Sequence, residues 1–391
     1  MRILIFTEVF APYVCGISSY VEVLKKGLEQ LSHKVVIVTS DPTVEKAKFL
    51  DDIIRCPAKP VKKNKYGHEC KCSGDMKVID FICSYKPDVV HIHTDTKIGY
   101  MGLEVADRCK APVVFTIHDY FPDRFASDSS DFIWKIKTYF EKRHFIDMLD
   151  TADAVTSSCS RADIFVRRAG RKNDVRLIRS ATDTKMFDYR RATPDSIAKT
   201  RANLGLSQQA AVAVFAGILS VEKNLEFALT AFSKYIRQTD NIQFLIVGDG
   251  SETEYLKKLC KKLKIADMVI FSGMIPNAKM PDIYASCDMY VCSYDDGLMS
   301  MSFVEAMACG LPVLLKEDDE KIAYGIIKDG TNGFVYKDQE QFAEYLKKLA
   351  SLDKDMKNRI KKIVRNTIPK DAYASMAQEY LDVYLSLPKK E

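Results

Sequence analysis

Of the acidic side chains in this sequence, Glu305 has the setting best suited to chemistry. It lies in the stretch 286–315, S-C-D-M-Y-V-C-S-Y-D-D-G-L-M-S-M-S-F-V-E-A-M-A-C-G-L-P-V-L-L. The stretch reads as a strand over 289–293, a polar turn over 294–297, a helix over about 298–309, then a second strand. Gly310 stands where a left-handed C-cap belongs, and Pro312 cannot continue the helix. A helix that opens just beyond a glycine turn presents unpaired N–H groups and the positive end of its dipole, a setting for phosphate. Glu305, about two turns in, is placed to accept hydrogen bonds from ribose hydroxyls. The same spacing has a structural reading, because Ser302-x-x-Glu305 is also a capping box. Spacing alone leaves both open.

Lys223, in Gly217-x-x-x-x-Glu222-Lys223-Asn224, is the candidate for neutralising a diphosphate. A leaving phosphate gains charge in the transition state, so a fixed cation beside it speeds departure. The alternative is a solvated surface lysine. His118 ends the strand A-P-V-V-F-T-I-H-D-Y and faces the same crevice as Gly16, in the loop P-Y-V-C-G-I after the first strand. Ligands of such sheets bind at strand C-termini, though a lone histidine is more often structural. Gly16 permits close backbone approach, or simply makes a tight turn.

The string E-A-M-A-C-G-L-P-V, with the strand and turn before it, resembles the signature of the retaining glycosyltransferases of family four. The resemblance covers nearly the whole chain. It implies an α/β chain of GT-B fold, two Rossmann-like domains facing each other across a cleft. They would be an acceptor-side domain over 1–188, to which a C-terminal helix over 371–391 crosses back, and a nucleotide-sugar-binding domain over 189–370. It also implies catalytic roles for His118, Lys223 and Glu305. The implied donor-binding set is Gly16, Gly217, Lys223, Gly248, Ile275, Gly297, Leu298, Met299 and Glu305, with Ile275 near the base.

Three positions depart from the family pattern. Cys15 replaces the first glycine of P-x-x-G-G, and Ile218 replaces the arginine of G-R-L-x-x-E-K. Gly297 stands eight residues before Glu305, where the family has a second glutamate; Asp295 and Asp296 are out of register with it. Loss of an ionic hydrogen bond at Ile218 costs roughly tenfold or more unless another group, such as Arg176 or Arg179, compensates.

The elements that must position these residues follow a repeating strand–loop–helix pattern. A strand over 2–6, a helix over 18–31 and a strand over 35–38 open the chain as a βαβ unit without a G-x-G-x-x-G fingerprint. The basic, turn-rich stretch 58–77 reads as a solvated loop. A helix over 131–149 interleaves Phe132, Ile133, Ile136, Tyr139, Phe140 and Phe145 with Lys135, Lys137, Lys142 and Arg143. It either packs on its domain or lies on an anionic membrane. Family members that glycosylate lipids carry aromatic–basic elements in this half. The polar stretch 188–206 reads as the interdomain linker, and the second half then repeats the theme.

With 391 residues, 47% hydrophobic and a net charge of +5, the chain is an ordinary globular protein with no need of a nucleic-acid partner. Its eleven cysteines include no C-x-x-C, so neither a disulfide framework nor a zinc site is expected. No Asp-x-Asp metal motif is placed to serve, so the expectation is metal-independent catalysis with a nucleotide-sugar donor and no cofactor. No run approaches the roughly 18 apolar residues of a membrane span. The expected setting is the cytoplasm, or the inner face of a membrane peripherally. The activity these features point to is a retaining transfer of a hexose, best matched by glucose from UDP-glucose, to an acceptor hydroxyl such as that of diacylglycerol. One rival is a degenerate, non-catalytic relative that binds a nucleotide sugar or a partner protein. The other, an NAD-dependent oxidoreductase, is disfavoured by the missing fingerprint.

Overall fold

The computed structural model describes residues 1–13, 15–61, 64–72, 74–118, 132–159, 162–172, 174–237, 240–294, 300–317 and 325–388, without the side chains of 61, 64–69, 132–141, 165 and 168. The chain divides into two compact units, Met1–Ala181 with Tyr373–Glu391, and Thr182–Ala372.

The first unit carries strands β1 (Arg2–Thr7), β2 (Lys34–Asp41), β3 (Lys48–Leu50), β4 (Ile53–Val61), β5 (Asn64–Cys70), β6 (Val89–Ile92), β7 (Val113–Ile117), β8 (Ala154–Ser157) and β9 (Val175–Leu177). They form one sheet in the order β3-β4-β2-β1-β6-β7-β8-β9, with β5 paired to β4. The main pairings are parallel, and only β3 and β5 run antiparallel to β4. Its helices are α1 (Gly16–Gln30), α2 (Met76–Cys83), α3 (Lys97–Cys109), α4 (Phe132–Thr151) and α5 (Ala162–Arg168).

The second unit holds β10 (Ala211–Ala216), β11 (Ile242–Val247), β12 (Val269–Gly273), β13 (Met289–Cys292), β14 (Val313–Lys316) and β15 (Gly333–Tyr336), all parallel, in the order β12-β11-β10-β13-β14-β15. Between and after them come α6 (Pro194–Leu204), α7 (Leu225–Tyr235), α8 (Thr253–Lys262), α9 (Met280–Ala285), α10 (Met301–Ala308), α11 (Gln339–Ala350) and α12 (Lys354–Thr367). The last helix, α13 (Ala372–Ser386), belongs almost entirely to the first unit.

Central strands such as β6, β7, β10 and β13 are buried at every residue. That explains why they read as nearly continuous apolar runs, broken only by His91 and Thr116: a parallel strand covered on both faces has no polar side to show. Each large aliphatic side chain so buried contributes about 1.5–3 kcal/mol.

Strand order fixes where a ligand belongs. In the first sheet the order reverses between β1 and β6, and in the second between β10 and β13. Crevices open at the carboxyl ends of strands flanking such a reversal. The loops concerned carry Gly16 and His93 in one unit, and Gly217, Lys223 and Tyr294 in the other.

Two stretches differ from their sequence reading. Residues within 58–77 build most of a hairpin, β4 with β5, in which Ala58 faces Cys70. The lysines and prolines of this stretch hid an alternation of small buried residues, Cys56 and Ala58 on one strand and Cys70 on the other. The polar stretch over 188–206 is mostly helix α6, capped by Thr193 with Ser196 as a capping box and Pro194 in its first turn. Arg201 ties that helix to the second sheet through the Ser286 carbonyl (2.9 Å) and Asp288 (3.2 Å). Its polarity reflects an exposed helix face rather than a tether.

Candidate active site

The loops after β10, β11 and β12 are stitched together by main-chain hydrogen bonds. Gly217 donates to Val247, Gly248 to Gly273, and Leu219 to Asp249, at 2.9–3.1 Å. Gly217, Gly248 and Gly273 all have positive φ. A Cβ on Gly248 would stand 1.9 Å from the Gly217 carbonyl oxygen. Glycine is therefore demanded here by backbone meeting backbone, which holds the loops at the switch point rigid. Ile275 follows as a half-buried side chain just past Gly273.

Lys223 ends a short 3-10 turn, Val221–Lys223, and Asn224 in the left-handed conformation starts α7. The Ser293 hydroxyl donates to the Lys223 carbonyl at 2.7 Å, which fixes the turn against the end of β13. The Lys223 ammonium lies 4.1 Å from the Tyr294 ring centroid. Tyr294 Oη is 2.6 Å from Ser300 Oγ, and Ser300 is the N-cap of α10, accepting from the Phe303 amide. Ser302 Oγ bonds both Ser300 (3.1 Å) and Tyr290 Oη (2.9 Å). A cation thus stands beside the hydroxyl-rich head of a helix, where amide N–H groups and the dipole favour an anion.

This geometry removes the capping-box reading of Glu305. The cap is Ser300, and Ser302 lies inside the helix, which begins at Met301 rather than near 298. Glu305 is five residues past the cap, 5% exposed, and accepts from Tyr284 Oη at 3.4 Å. A buried carboxylate so placed is either a packing element with Tyr284 or a ligand acceptor. The Tyr284 phenol is driven well above its usual pKa by burial and then by the Glu305 charge. Gly297, Leu298 and Met299 lie outside the described residues.

In the first unit, His118 stands just past β7 and is hydrogen-bonded to His93, Nε2 to Nδ1 at 2.7 Å. Its ring stacks on His93 and meets the edge of Tyr20 at 4.8 Å. Burial lowers its pKa to about 3, so the imidazole is neutral at pH 7. Behind it runs a buried polar chain. His91 bonds Tyr384 Oη (2.7 Å) and Thr116 Oγ1 (2.6 Å), and Tyr380 links Thr116 to Tyr20 (2.8 Å to Tyr20 Oη). His93 Nε2 is buried without a partner among the described residues. Cys15, which replaces a family glycine, is the N-cap of α1: its sulfur accepts from the Ser18 amide while Ser18 Oγ accepts from the Cys15 amide. A Cβ on Gly16 would meet nothing within 4 Å, and its φ is not positive. What glycine supplies there is open room, not a turn.

The family model "Glycosyl transferases group 1" matches residues 196–367, and "Glycosyltransferase Family 4" matches 14–185. The chain belongs to glycosyltransferase family 4. Among relatives of this family 4 enzyme, an alpha-monoglucosyldiacylglycerol synthase of Acholeplasma laidlawii is 26% identical over 88% of this chain and 87% of its own. One from Streptococcus pneumoniae is 25% identical over 80% and 70%. A crystal structure of Anabaena HepE in complex with UDP and glucose superposes with a TM-score of 0.75 at 17% identity, covering 99% of this chain and 100% of that one. WaaG, a glycosyltransferase involved in lipopolysaccharide biosynthesis, gives 0.70 at 16% identity over 99% and 100%. The fold is GT-B.

Within the glycosyltransferase, the structure brings Gly217, Gly248 and Ile275 to one end of the second sheet, with Lys223 and the head of Glu305's helix at the neighbouring strand ends. His118 and Gly16 sit at strand ends of the first sheet. Sequence reading took Tyr294 only as part of a turn and Ser302 only as a capping-box residue, and it passed over Ser300, which caps α10, and over His91, His93, Tyr20, Tyr380 and Tyr384. For the histidines a signal was present: H-I-H in a strand otherwise wholly apolar requires buried partners.

Proposed function

We propose that this glycosyltransferase transfers glucose from UDP-glucose to a hydroxyl of a diacylglycerol-type lipid, with retention and without a metal ion, while bound peripherally at the cytoplasmic face of a membrane. The observation that carries the reading is Lys223, held on Tyr294 beside the capped head of α10. The names of the two relatives above supply the lipid, and the ligands of the HepE complex support the donor. The C1–O bond to the diphosphate breaks, and the acceptor oxygen bonds C1 on the same face. Its proton passes to the departing phosphate oxygen. Lys223 and the α10 amides stabilise the charge that develops on that phosphate. Glu305 accepts from the ribose. In the first unit, neutral His118 offers the hydrogen bond that orients a sugar or acceptor hydroxyl.

No helix among the described residues is long and apolar enough to cross a membrane. In α4, Phe145, Met148 and Leu149 are buried and Arg143 pairs with Asp147 at 3.0 Å, so its last turns dock on the protein. A membrane contact by this helix therefore falls to its first half, whose side chains lie outside the described residues, as does 119–131.

The experiment is incubation of the full chain with radiolabelled UDP-glucose and mixed vesicles of diacylglycerol and anionic lipid in chelator. An α-linked glucolipid is the expected product, its anomer read by proton NMR. Transfer only from another nucleotide sugar, only with added metal, or with inversion would overturn the corresponding part. A second reading, a non-catalytic binder of nucleotide sugars, is favoured by Ile218, whose side chain is 37% exposed where the family carries a phosphate-binding arginine. Binding of UDP-glucose with no transfer to any lipid would establish it.

A further inference from the structure

Cys56, Cys70 and Cys72 are far apart in sequence terms from any metal-binding motif, yet the β4–β5 hairpin brings them together. Ala58 pairs with Cys70 and the Lys71 amide donates to the Pro57 carbonyl at 2.8 Å. Two residues back from Ala58 is Cys56, and two residues on from Cys70 is Cys72. The twofold period of strands puts all three on one face. Cys56 and Cys70 are buried and Cys72 is half-buried. Their sulfurs lie within 4.8 Å of one another, with Cys70 and Cys72 at 3.8 Å.

These distances discriminate between fates for the thiols. A disulfide needs sulfurs about 2.05 Å apart and leaves the third thiol over. A tetrahedral zinc ion with Zn–S bonds of about 2.3 Å places its sulfurs about 3.8 Å apart. A second observation points the same way. Ser40, the β2 residue paired with Cys56, has a buried hydroxyl that makes no hydrogen bond at normal distance, although it lies against Cys70.

We propose that Cys56, Cys70 and Cys72 form a three-thiolate site for a zinc ion, with water completing the tetrahedron, that cross-links β4 to the end of β5. Binding releases three thiol protons and leaves a net charge of about −1 on the complex. Lys71, between two of the three cysteines in the sequence, carries the opposite charge. Three soft thiolates select zinc over the oxygen-seeking magnesium, calcium and manganese. The site also gives a reason for C-K-C in a stretch that otherwise reads as loop. It revises the sequence expectation of no zinc site, and it is independent of the transferase reading.

The test uses the full-length chain purified under reducing conditions without an affinity metal. Elemental analysis is expected to give about one zinc per chain. Cys56→Ala, Cys70→Ala and Cys72→Ala should each lower that at least tenfold, and Cys260→Ala, a buried cysteine of the second unit, should leave it unchanged. Stripped, reduced wild type titrated with cobalt(II) should develop thiolate-to-cobalt charge-transfer absorption and the intense d–d bands of tetrahedral coordination, both erased by stoichiometric zinc. The cobalt titration decides the matter even where the alanine variants fail to fold. No metal together with no cobalt charge transfer in the reduced wild type overturns the proposal. So does a disulfide between any two of the three cysteines in protein digested without reductant.

Discussion

Replacing Lys223 by alanine removes one cation from the head of α10 and leaves the backbone that holds it in place. In the free protein the ammonium lies on the Tyr294 ring at 4.1 Å, a contact worth about 0.5–1 kcal/mol. Lys223 is half-buried, and its carbonyl, not its side chain, accepts from Ser293. The backbone turn that carries it should therefore survive the substitution. A charged hydrogen bond to phosphate is worth about 1.5–3 kcal/mol, which at about 1.4 kcal/mol per decade weakens UDP binding roughly 10–150-fold. Transfer should fall at least as far, because the phosphate gains charge as the sugar departs. Tyr294→Leu should give a smaller loss, about two- to fivefold, since the lysine survives without the surface that aims it. Calorimetric titration with UDP, set beside thermal melts, separates the two effects. UDP affinity within twofold of wild type, with unchanged turnover, would show that the phosphate site lies elsewhere.

Other consequences are open to equally direct measurement. Glu305→Ala should weaken UDP binding more than it weakens binding of inorganic diphosphate, because ribose loses its acceptor; an equal loss for both would make Glu305 a packing residue. In that same titration Ile218→Arg should add little if the enzyme is already complete, whereas a gain of tenfold or more would support the non-catalytic reading. Histidines 91 and 93 are held neutral by burial, well below the free value of about 6.5. Below that pH the unfolded chain takes up protons that the folded one refuses, so stability is full above about 6.5 and is lost as pH falls. The loss is about 1.4 kcal/mol per histidine between pH 7.5 and 5.5. Urea midpoints at those two pH values should differ less in His93→Gln than in wild type, and an identical difference would refute the assignment. Replacing Lys135, Lys137, Lys142 and Arg143 by glutamine should weaken binding to anionic vesicles, as should high salt; a wild type indifferent to such vesicles at low salt removes the membrane reading.

Much of this fold was legible because its central strands are buried on both faces and announce themselves as apolar runs, while glycines mark their carboxyl ends. Gly217 and Gly248 could be picked out from sequence, but the reason for them, one loop's carbonyl occupying the other's Cβ position, depends on a contact between residues 31 apart. Glu305 was found and its surroundings were not. The capping box at Ser302 was a plausible local pattern, and the actual cap two residues earlier is chosen by Tyr294, whose hydroxyl binds Ser300. The β4–β5 hairpin escaped notice because Pro57, Pro60 and the lysines are poor strand formers, and its reward is long-range burial of cysteines. Polar composition likewise disguised α6, although Thr193, Pro194 and Ser196 spell a helix start.

The position of α13 carries a consequence for how the chain is made. Tyr380 and Tyr384 are fully buried members of the hydrogen-bonded chain that includes His91, Thr116 and Tyr20, and Tyr373 accepts from Gln30 at 2.8 Å. During synthesis, residues 1–181 leave the ribosome long before this helix is translated, and the whole second unit comes between. Until then the first unit has an open groove and three buried-to-be polar side chains without their tyrosine partners. The second unit, contiguous in sequence, lacks nothing by comparison. The half that begins the protein is thus the last to be completed, and it waits as a client for chaperones while its neighbour folds.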